Sequence, residues 1–306
     1  MKGGLLVVDK PAGPTSHEVV AAVRAAFGAA KAGHAGTLDP TATGVLAVCV
    51  GDAVKLQQYL TDGDKAYLAT VAFGTSTTTE DGEGEVVERG DPAAVTEAAL
   101  RAALPGLVGE LDQVPPMYSA VRVGGRRLFE AARAGEEVDR TPRRVTVHAL
   151  ELVELAPAPA DGHLVAKLAV RCGKGTYVRT LAAELGRRIG VPAHLAGLRR
   201  TEASGFDLSA AIPLEEALAL GRTDPAALRR RLVPAGEALR LLPAVPVDAG
   251  EAQDLWCGRF LRRPVPPGPL LRALLPDGTL VAILKPISGG GARPVRGFPP
   301  EPPPGG

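Results

Sequence analysis

A carboxylate inside a glycine-rich segment is the first candidate for chemistry in this sequence. Residues 33–44 read GHAGTLDPTATG, and Asp39 stands directly before a proline. The three glycines allow tight turns and a close approach to a ligand. The proline favours an extended backbone at Asp39, which can project the carboxylate from the edge of a loop. Taken alone, an ordinary Asp-Pro turn explains the pattern better, because such dipeptides are common.

A second glycine-rich segment precedes a predicted helix. Residues 172–176 read CGKGT and superficially resemble a phosphate-binding loop. The pattern fails the G-x-x-x-x-G-K-[ST] test, because Gly175 follows Lys174 directly. We therefore reject nucleoside triphosphate binding here. Two readings remain open: a strand-to-helix turn that presents Tyr177 and Arg179, and a simple helix N-terminus.

The remaining reactive residue types give no metal site. The three cysteines, Cys49, Cys172 and Cys257, form no C-x-x-C pair, and two of them lie in apolar runs. Buried, reduced thiols are therefore expected. The five histidines are scattered, and His34 has no neighbour at a metal-ligand spacing. Alone, Tyr67 reads as a packed aromatic residue of a strand.

Composition and charge indicate a globular protein with basic surfaces. The chain has 306 residues, 45% of them hydrophobic, with 35 basic and 34 acidic side chains. Net charge alone is uninformative, but the charges are segregated. Residues 167–200 carry eight basic side chains and one acid, and residues 259–296 carry seven and one. Such blocks favour a polyanionic partner or are simply solvated faces. The short apolar start and the lack of long apolar runs predict a soluble, cytoplasmic protein.

Helices and strands are predicted without strict alternation, which indicates an α+β fold. Strands are expected at 5–8, 45–50, 66–73, 144–155 and 164–170, and helices after Thr15, over 91–104 and over 176–189. Thr15 and Glu18 form a capping-box pattern. Residues 74–85 are predicted to be an exposed loop. From about residue 242 the chain is proline-rich with short β-like runs, which predicts a small β-rich domain.

Six ordered blocks resemble the bacterial TruB family of tRNA pseudouridine synthases. They are VDKP at 8–11, the segment 33–44, KAY at 65–67, QVPPMYSA at 113–120, GKGTYVRTL at 173–181 and HLAGLRRT at 194–201. The likeness runs from residue 3 to 208 and more weakly to 298. Ala35 and Thr41 stand where the family often has Thr and Leu, and neither position carries a catalytic role.

The resemblance implies that the chain isomerises the T-loop uridine of tRNA, U55 in tRNA numbering, to pseudouridine. The reaction breaks the C1′–N1 bond, turns the uracil and joins C1′ to C5, so it requires neither a cofactor nor a metal. Asp39 is then the catalytic nucleophile, and Arg179 is the guanidinium that stabilises its charge. Tyr67 stacks on the target base and is a candidate proton acceptor. Tyr177 lines the same pocket.

The resemblance also implies how the RNA is held. The target base must be flipped out of the folded loop, and His34 packs against the everted bases. A thumb at 121–144 clamps the RNA. The residues assigned to RNA contact are Lys10, His34, Gly36, Leu198, Arg143, Arg144 and Arg199.

The implied architecture is a pseudouridine synthase domain with a mixed, largely antiparallel sheet at 1–241. A small β-rich PUA-like RNA-binding domain follows at 242–298, and a disordered tail at 299–306. The partner is the T stem-loop of tRNA, with no membrane and no obligatory protein partner, and the chain is a monomer. Two alternatives stay open: a tRNA folding chaperone without chemistry and a guide-RNA-dependent synthase subunit. A third, a nucleotide-binding enzyme that uses the segment 173–176, is disfavoured by the failed motif.

Overall fold

The computed structural model describes residues 3–119, 121–136, 138–157 and 164–299. The strands in chain order are β1 (Gly3–Lys10), β2 (Ala32–His34), β3 (Thr43–Gly51), β4 (Lys65–Phe73), β5 (Thr75–Thr77), β6 (Val86–Arg89), β7 (Gly109–Gln113), β8 (Arg122–Val123), β9 (Arg126–Arg127), β10 (Arg143–Pro157), β11 (Leu164–Cys172), β12 (Ala193–Ala203), β13 (Phe206–Asp207), β14 (Ile212–Pro213), β15 (Ala244–Pro246), β16 (Leu271–Leu274), β17 (Leu280–Pro286) and β18 (Ala292–Gly297).

The α-helices are α1 (Ser16–Ala26), α2 (Gln57–Thr61), α3 (Glu97–Ala103), α4 (Leu128–Arg133), α5 (Val178–Ile189), α6 (Leu214–Thr223), α7 (Pro225–Arg230), α8 (Ala235–Ala238) and α9 (Ala249–Trp256). Short 3-10 helices lie at Asp52–Leu56, Pro92–Ala94, Leu104–Leu107 and Leu208–Ala210. None of these described helices is long and apolar enough to span a membrane.

The chain divides into two compact units. The first is drawn from Met1–Pro40, Gly44–Gly63 and Ala203–Gly306, and the second from Thr41–Thr43 and Asp64–Glu202. In the second unit the strands lie in the order β12-β4-β11-β10-β7, and β4, β11, β10 and β7 pair antiparallel along that order. Helix α5 lies in this unit, begins directly after Tyr177 and carries Arg179.

In the first unit, β1 pairs with β3 antiparallel and with β14 parallel. Strand β1 is buried on both faces: Leu6 and Val8 join a core with α1 and α6, whereas Leu5 and Val7 join a second core. Because successive side chains of a strand point to opposite faces, burial on both sides requires the unbroken apolar run that the sequence has there.

A second sheet of the first unit lies in the predicted C-terminal domain. Its order is β15-β16-β17-β18, with β15 and β16 parallel and the other neighbours antiparallel. Leu280 and Ile283 of β17 belong to the same core cluster as Leu5 and Val7 of β1. The β-rich character of this segment is confirmed, whereas a separate domain beginning at residue 242 stays a prediction. The predicted tail lies, apart from Pro299, outside the described residues.

The α+β class with a largely antiparallel sheet is confirmed, as are the predicted long strands and the capping box of α1. Thr15 accepts from the Glu18 amide, and the Glu18 carboxylate accepts from the Thr15 amide. The prediction of one helix over 91–104 is wrong. Val95 is buried with an extended backbone, and Thr96 caps a new helix, α3, behind it.

Candidate active site

Asp39 lies half-buried in the loop between β2 and β3, and both of its chain neighbours are anchored. The Ser16 hydroxyl donates to the Leu38 carbonyl and accepts from the Leu38 amide, both at 2.8 Å. On the other side, Lys10 Nζ and the Gly13 amide both donate to the Pro40 carbonyl at 2.9 Å. The backbone on each side of the carboxylate is therefore held by bonds from α1, from the end of β1 and from the loop between them.

Two glycines of the segment 33–44 occupy positions where a side chain would be strained or crowded. Gly36 has a φ of 97°, in the left-handed region that glycine tolerates. A Cβ at Gly33 would come within 2.7 Å of the Gln57 amide group, which donates to the His34 carbonyl. The His34 ring meets the His17 ring edge-on, with centroids 5.3 Å apart.

The other predicted catalytic residues lie in the second unit. Tyr67 is buried on β4, opposite Val170 of β11. Tyr177 directly precedes α5, and Arg179 is in the first turn of that helix. The strand-to-helix turn that presents both residues is thus present. Asp39 belongs to the first unit, so its placement against these side chains stays a prediction.

Tyr177 is fixed through its backbone by one side chain. Gln113, buried at the end of β7, donates from Nε2 to the Tyr177 carbonyl at 3.0 Å. Its Oε1 accepts from the Tyr177 amide at 2.7 Å. A single amide group therefore satisfies both polar groups of the residue from which α5 begins.

Arg179 is 6% exposed and is held by acceptors from two loops. It pairs with the Asp81 carboxylate at 3.1 Å. It also donates to the Thr79 carbonyl at 3.1 Å and to the Tyr118 carbonyl at 2.9 Å. Because a buried guanidinium needs compensating charge and hydrogen bonds, this set both stabilises the cation and fixes its plane.

The loop that carries Asp81 is itself tied to the helix. Thr180 donates to the Glu80 carboxylate at 2.6 Å, and the Glu80 carbonyl accepts from the Leu195 amide at 3.0 Å. Glu80 has a φ of 63°, a conformation that is uncommon outside glycine. Asp81 accepts from the Thr79 hydroxyl at 2.5 Å. Adjacent residues of α5 thus bond to adjacent residues of this loop.

These contacts correct one expectation and reveal three residues that the sequence did not single out. The exposed loop predicted for 74–85 contains buried Thr75 and Asp81. The threonines and glycines of this segment are typical of exposed turns, so its composition did not indicate that the Asp81 carboxylate is buried. The sequence patterns also did not mark Gln113 or Ser16 as functional residues. Gln113 lay within a block of the family resemblance, which was the one available signal for it, whereas Ser16 simply followed a helix cap.

The residues assigned to RNA contact have varied surroundings, and their contacts with RNA stay predictions. Lys10 is fully buried, and its Nζ supports the Asp39 loop. Arg143 and Arg144 are exposed at the start of β10, where Arg144 pairs with Glu110 and Asp112. Leu198 and Arg199 are half-buried on β12. Arg199 donates to the Thr43 hydroxyl at 3.3 Å.

The cysteines differ in their exposure to solvent. Cys49 and Cys172 are buried as expected, whereas Cys257 is exposed. Burial raises the pKa of Cys49 to about 12 and that of Cys172 to about 11, so both thiols are protonated at neutral pH. Within the described part of the chain, no three His, Cys, Asp or Glu side chains group as metal ligands would.

Three family models match successive parts of this chain. TruB family pseudouridylate synthase (N-terminal domain) matches residues 24–178. The tRNA pseudouridylate synthase B C-terminal domain matches 179–240, and tRNA pseudouridine synthase II, C terminal, matches 242–299. The chain is 49% identical over 255 residues to tRNA pseudouridine synthase B of Symbiobacterium thermophilum, covering 83% of this chain and 82% of that protein. The chain belongs to the TruB family of pseudouridylate synthases.

The likeness extends over whole TruB proteins and to solved structures. tRNA pseudouridine synthase B of an Arthrobacter species is 40% identical over 307 residues, covering 98% of both chains. A solved H/ACA RNP bound to a substrate RNA containing 2′-deoxyuridine has a chain that matches with a TM-score of 0.74 and 25% identity, covering 97% of this chain and 85% of that one. A chain of a Cbf5-Nop10-Gar1 complex matches with a TM-score of 0.72. The TruB resemblance of the six blocks is thereby confirmed.

Proposed function

We propose that this TruB family chain isomerises the T-loop uridine of tRNA, U55 in tRNA numbering, to pseudouridine, with Asp39 as the nucleophile. The observation that carries the proposal is the match across 98% of both chains to a protein named tRNA pseudouridine synthase B. The anchored loop supports the role of Asp39, because a nucleophile gains most when it is held close to its attack geometry.

The other roles are carried over from the family resemblance. Arg179, held in a fixed plane, supplies a bidentate positive group for Asp39 and the reacting ribose. Tyr67 stacks on the uracil and accepts the proton that C5 loses when the new C1′–C5 bond forms. Tyr177, fixed by Gln113, closes the pocket. N1 gains a proton when its bond to C1′ is replaced, so the product is an isomer and no electrons enter or leave.

The flipped base costs a few kcal/mol of lost stacking and pairing, which contacts to the surrounding RNA must offset. We assign those contacts to His34, Gly36 and Leu198 near the everted bases and to Arg143, Arg144 and Arg199 on the backbone. The chain acts as a monomer in the cytoplasm, with no guide RNA and no obligatory protein partner.

Asp39→Asn tests the proposal. The amide is nearly isosteric, so the loop keeps its shape, but it is a far poorer nucleophile. With an isolated T stem-loop in single turnover, pseudouridine formation should be abolished while the RNA dissociation constant stays near the wild-type value. Asp207→Asn, an exposed carboxylate of the same unit, is the matched control and should react as wild type.

Each alternative gives a different result in the same experiment. A folding chaperone would bind and refold the RNA without forming pseudouridine. A guide-dependent subunit would be inactive on the isolated stem-loop and active only with a guide RNA. If Asp39→Asn reacts within about tenfold of wild type, roughly 1.4 kcal/mol of barrier, Asp39 is not the nucleophile.

A further inference from the structure

One buried hydroxyl satisfies both backbone polar groups of Leu38, the residue before Asp39. Ser16 Oγ lies 2.8 Å from the Leu38 carbonyl oxygen, to which it donates, and 2.8 Å from the Leu38 nitrogen, from which it accepts. Ser16 is 1% exposed and Leu38 4% exposed, so water is largely excluded from both groups. A hydroxyl has one proton and two lone pairs, so this pair of bonds fixes its orientation.

The local sequence explains why this serine is available for the contact. Ser16 is the first residue of α1, and the capping task at this helix belongs to Thr15, whose exposed hydroxyl accepts from the Glu18 amide. The side chain of Ser16 is therefore not needed by its own helix. Its hydroxyl instead joins α1 to a loop residue 22 positions away in sequence.

We propose that Ser16 is a positioning residue for Asp39, acting through the Leu38 backbone; this rests on the proposed role of Asp39 as the nucleophile. Lys10 and Gly13 hold the Pro40 carbonyl on the other side. Without Ser16 the loop loses both bonds that hold the backbone of the residue directly before Asp39. The carboxylate then samples orientations that do not lead to attack, and a displacement of about 1 Å can lower a rate about a hundredfold.

Ser16→Ala is the direct test, with Thr15→Ala as the matched control. Both variants remove one hydroxyl near the start of the same helix. Thr15→Ala removes the cap and lowers stability, but leaves the bonds between Ser16 and Leu38 in place. Ser16→Cys keeps a side chain of similar size with a weaker hydrogen-bonding group. It provides a graded variant should the alanine protein fold poorly.

Single-turnover rates on the T stem-loop, multiple-turnover kinetics, RNA affinity and melting temperature are measured for each variant beside Asp39→Asn. We expect Ser16→Ala to lower the single-turnover rate and kcat about tenfold to a hundredfold, with KM and RNA affinity near wild type. Ser16→Cys should lie between Ser16→Ala and wild type. Thr15→Ala should keep the wild-type rate at temperatures where it is folded.

The possible failures are distinguishable. If Asp39→Asn is inactive and Ser16→Ala reacts at the wild-type rate, the positioning role is wrong and the proposed function stands. If Thr15→Ala slows the reaction as much as Ser16→Ala, the effect is one of helix stability, and the positioning role is again overturned. An active Asp39→Asn protein would overturn both proposals.

Discussion

Asp81→Ala should weaken both the stability and the catalysis of this TruB family chain. The substitution removes the carboxylate that pairs with Arg179 at 3.1 Å, where the side chains are 11% and 7% exposed. It also removes the acceptor for the Thr79 hydroxyl and for the Glu83 amide. The guanidinium keeps the Thr79 and Tyr118 carbonyls as acceptors but loses a compensating charge.

The depth of this pair sets the expected magnitude. Removing one partner of a buried ion pair costs about 3–5 kcal/mol, because the remaining charge is left buried. Since Arg179 retains two carbonyl acceptors, we expect the lower end, about 3 kcal/mol of unfolding free energy. Asp81→Asn keeps an acceptor oxygen and should lose less. The matched control, Glu184→Ala, breaks pairs with Arg187 and Arg188 on the same helix that are much more exposed. Its cost should be about 0–1 kcal/mol.

Urea unfolding and single-turnover pseudouridine formation measure the two effects separately. We expect Asp81→Ala to slow the reaction about a hundredfold through misplacement of Arg179. The Glu184→Ala rate should match wild type. If Asp81→Ala is as stable as Glu184→Ala, the ion pair does not stabilise the chain as argued. If it is destabilised but reacts at the wild-type rate, the pair does not hold Arg179 for catalysis.

Two further predictions concern other contacts. Gln113→Ala leaves the Tyr177 amide without its acceptor, and the Tyr177 carbonyl keeps the Leu181 amide as a donor, so we expect a loss of about 2 kcal/mol of unfolding free energy in urea and a slower single turnover. Wild-type stability and rate would show that Tyr177 is held by other contacts. Cys257 should react with iodoacetamide long before Cys49 and Cys172, whose burial raises their pKa values and blocks access. Mass mapping of native and urea-unfolded protein checks this, and equal native rates at all three thiols would contradict the burial.

Local patterns in the sequence predicted the elements that depend on neighbouring residues. The capping box at Thr15 and Glu18 and the apolar run of β1 each depend on residues that are close in sequence. Both can therefore be predicted from the order of the residues alone. The prediction of a helix over 91–104 is wrong because the backbone there does not depend on neighbouring residues alone. Buried Val95 takes an extended backbone for packing, and such packing depends on residues distant in sequence.

By itself the sequence determined the class of fold, the family and the candidates Asp39, Tyr67, Tyr177 and Arg179, because ordered motif blocks carry that information directly. Only the tertiary structure decided what holds them. The bonds from Ser16 to Leu38, from Gln113 to Tyr177 and from Asp81 to Arg179 span 22, 64 and 98 positions of sequence, the last being the difference between 179 and 81. No local propensity marks such partners. A hydroxyl, an amide and a carboxylate acquire these roles when folding removes water and leaves each buried polar group to find its bond within the protein.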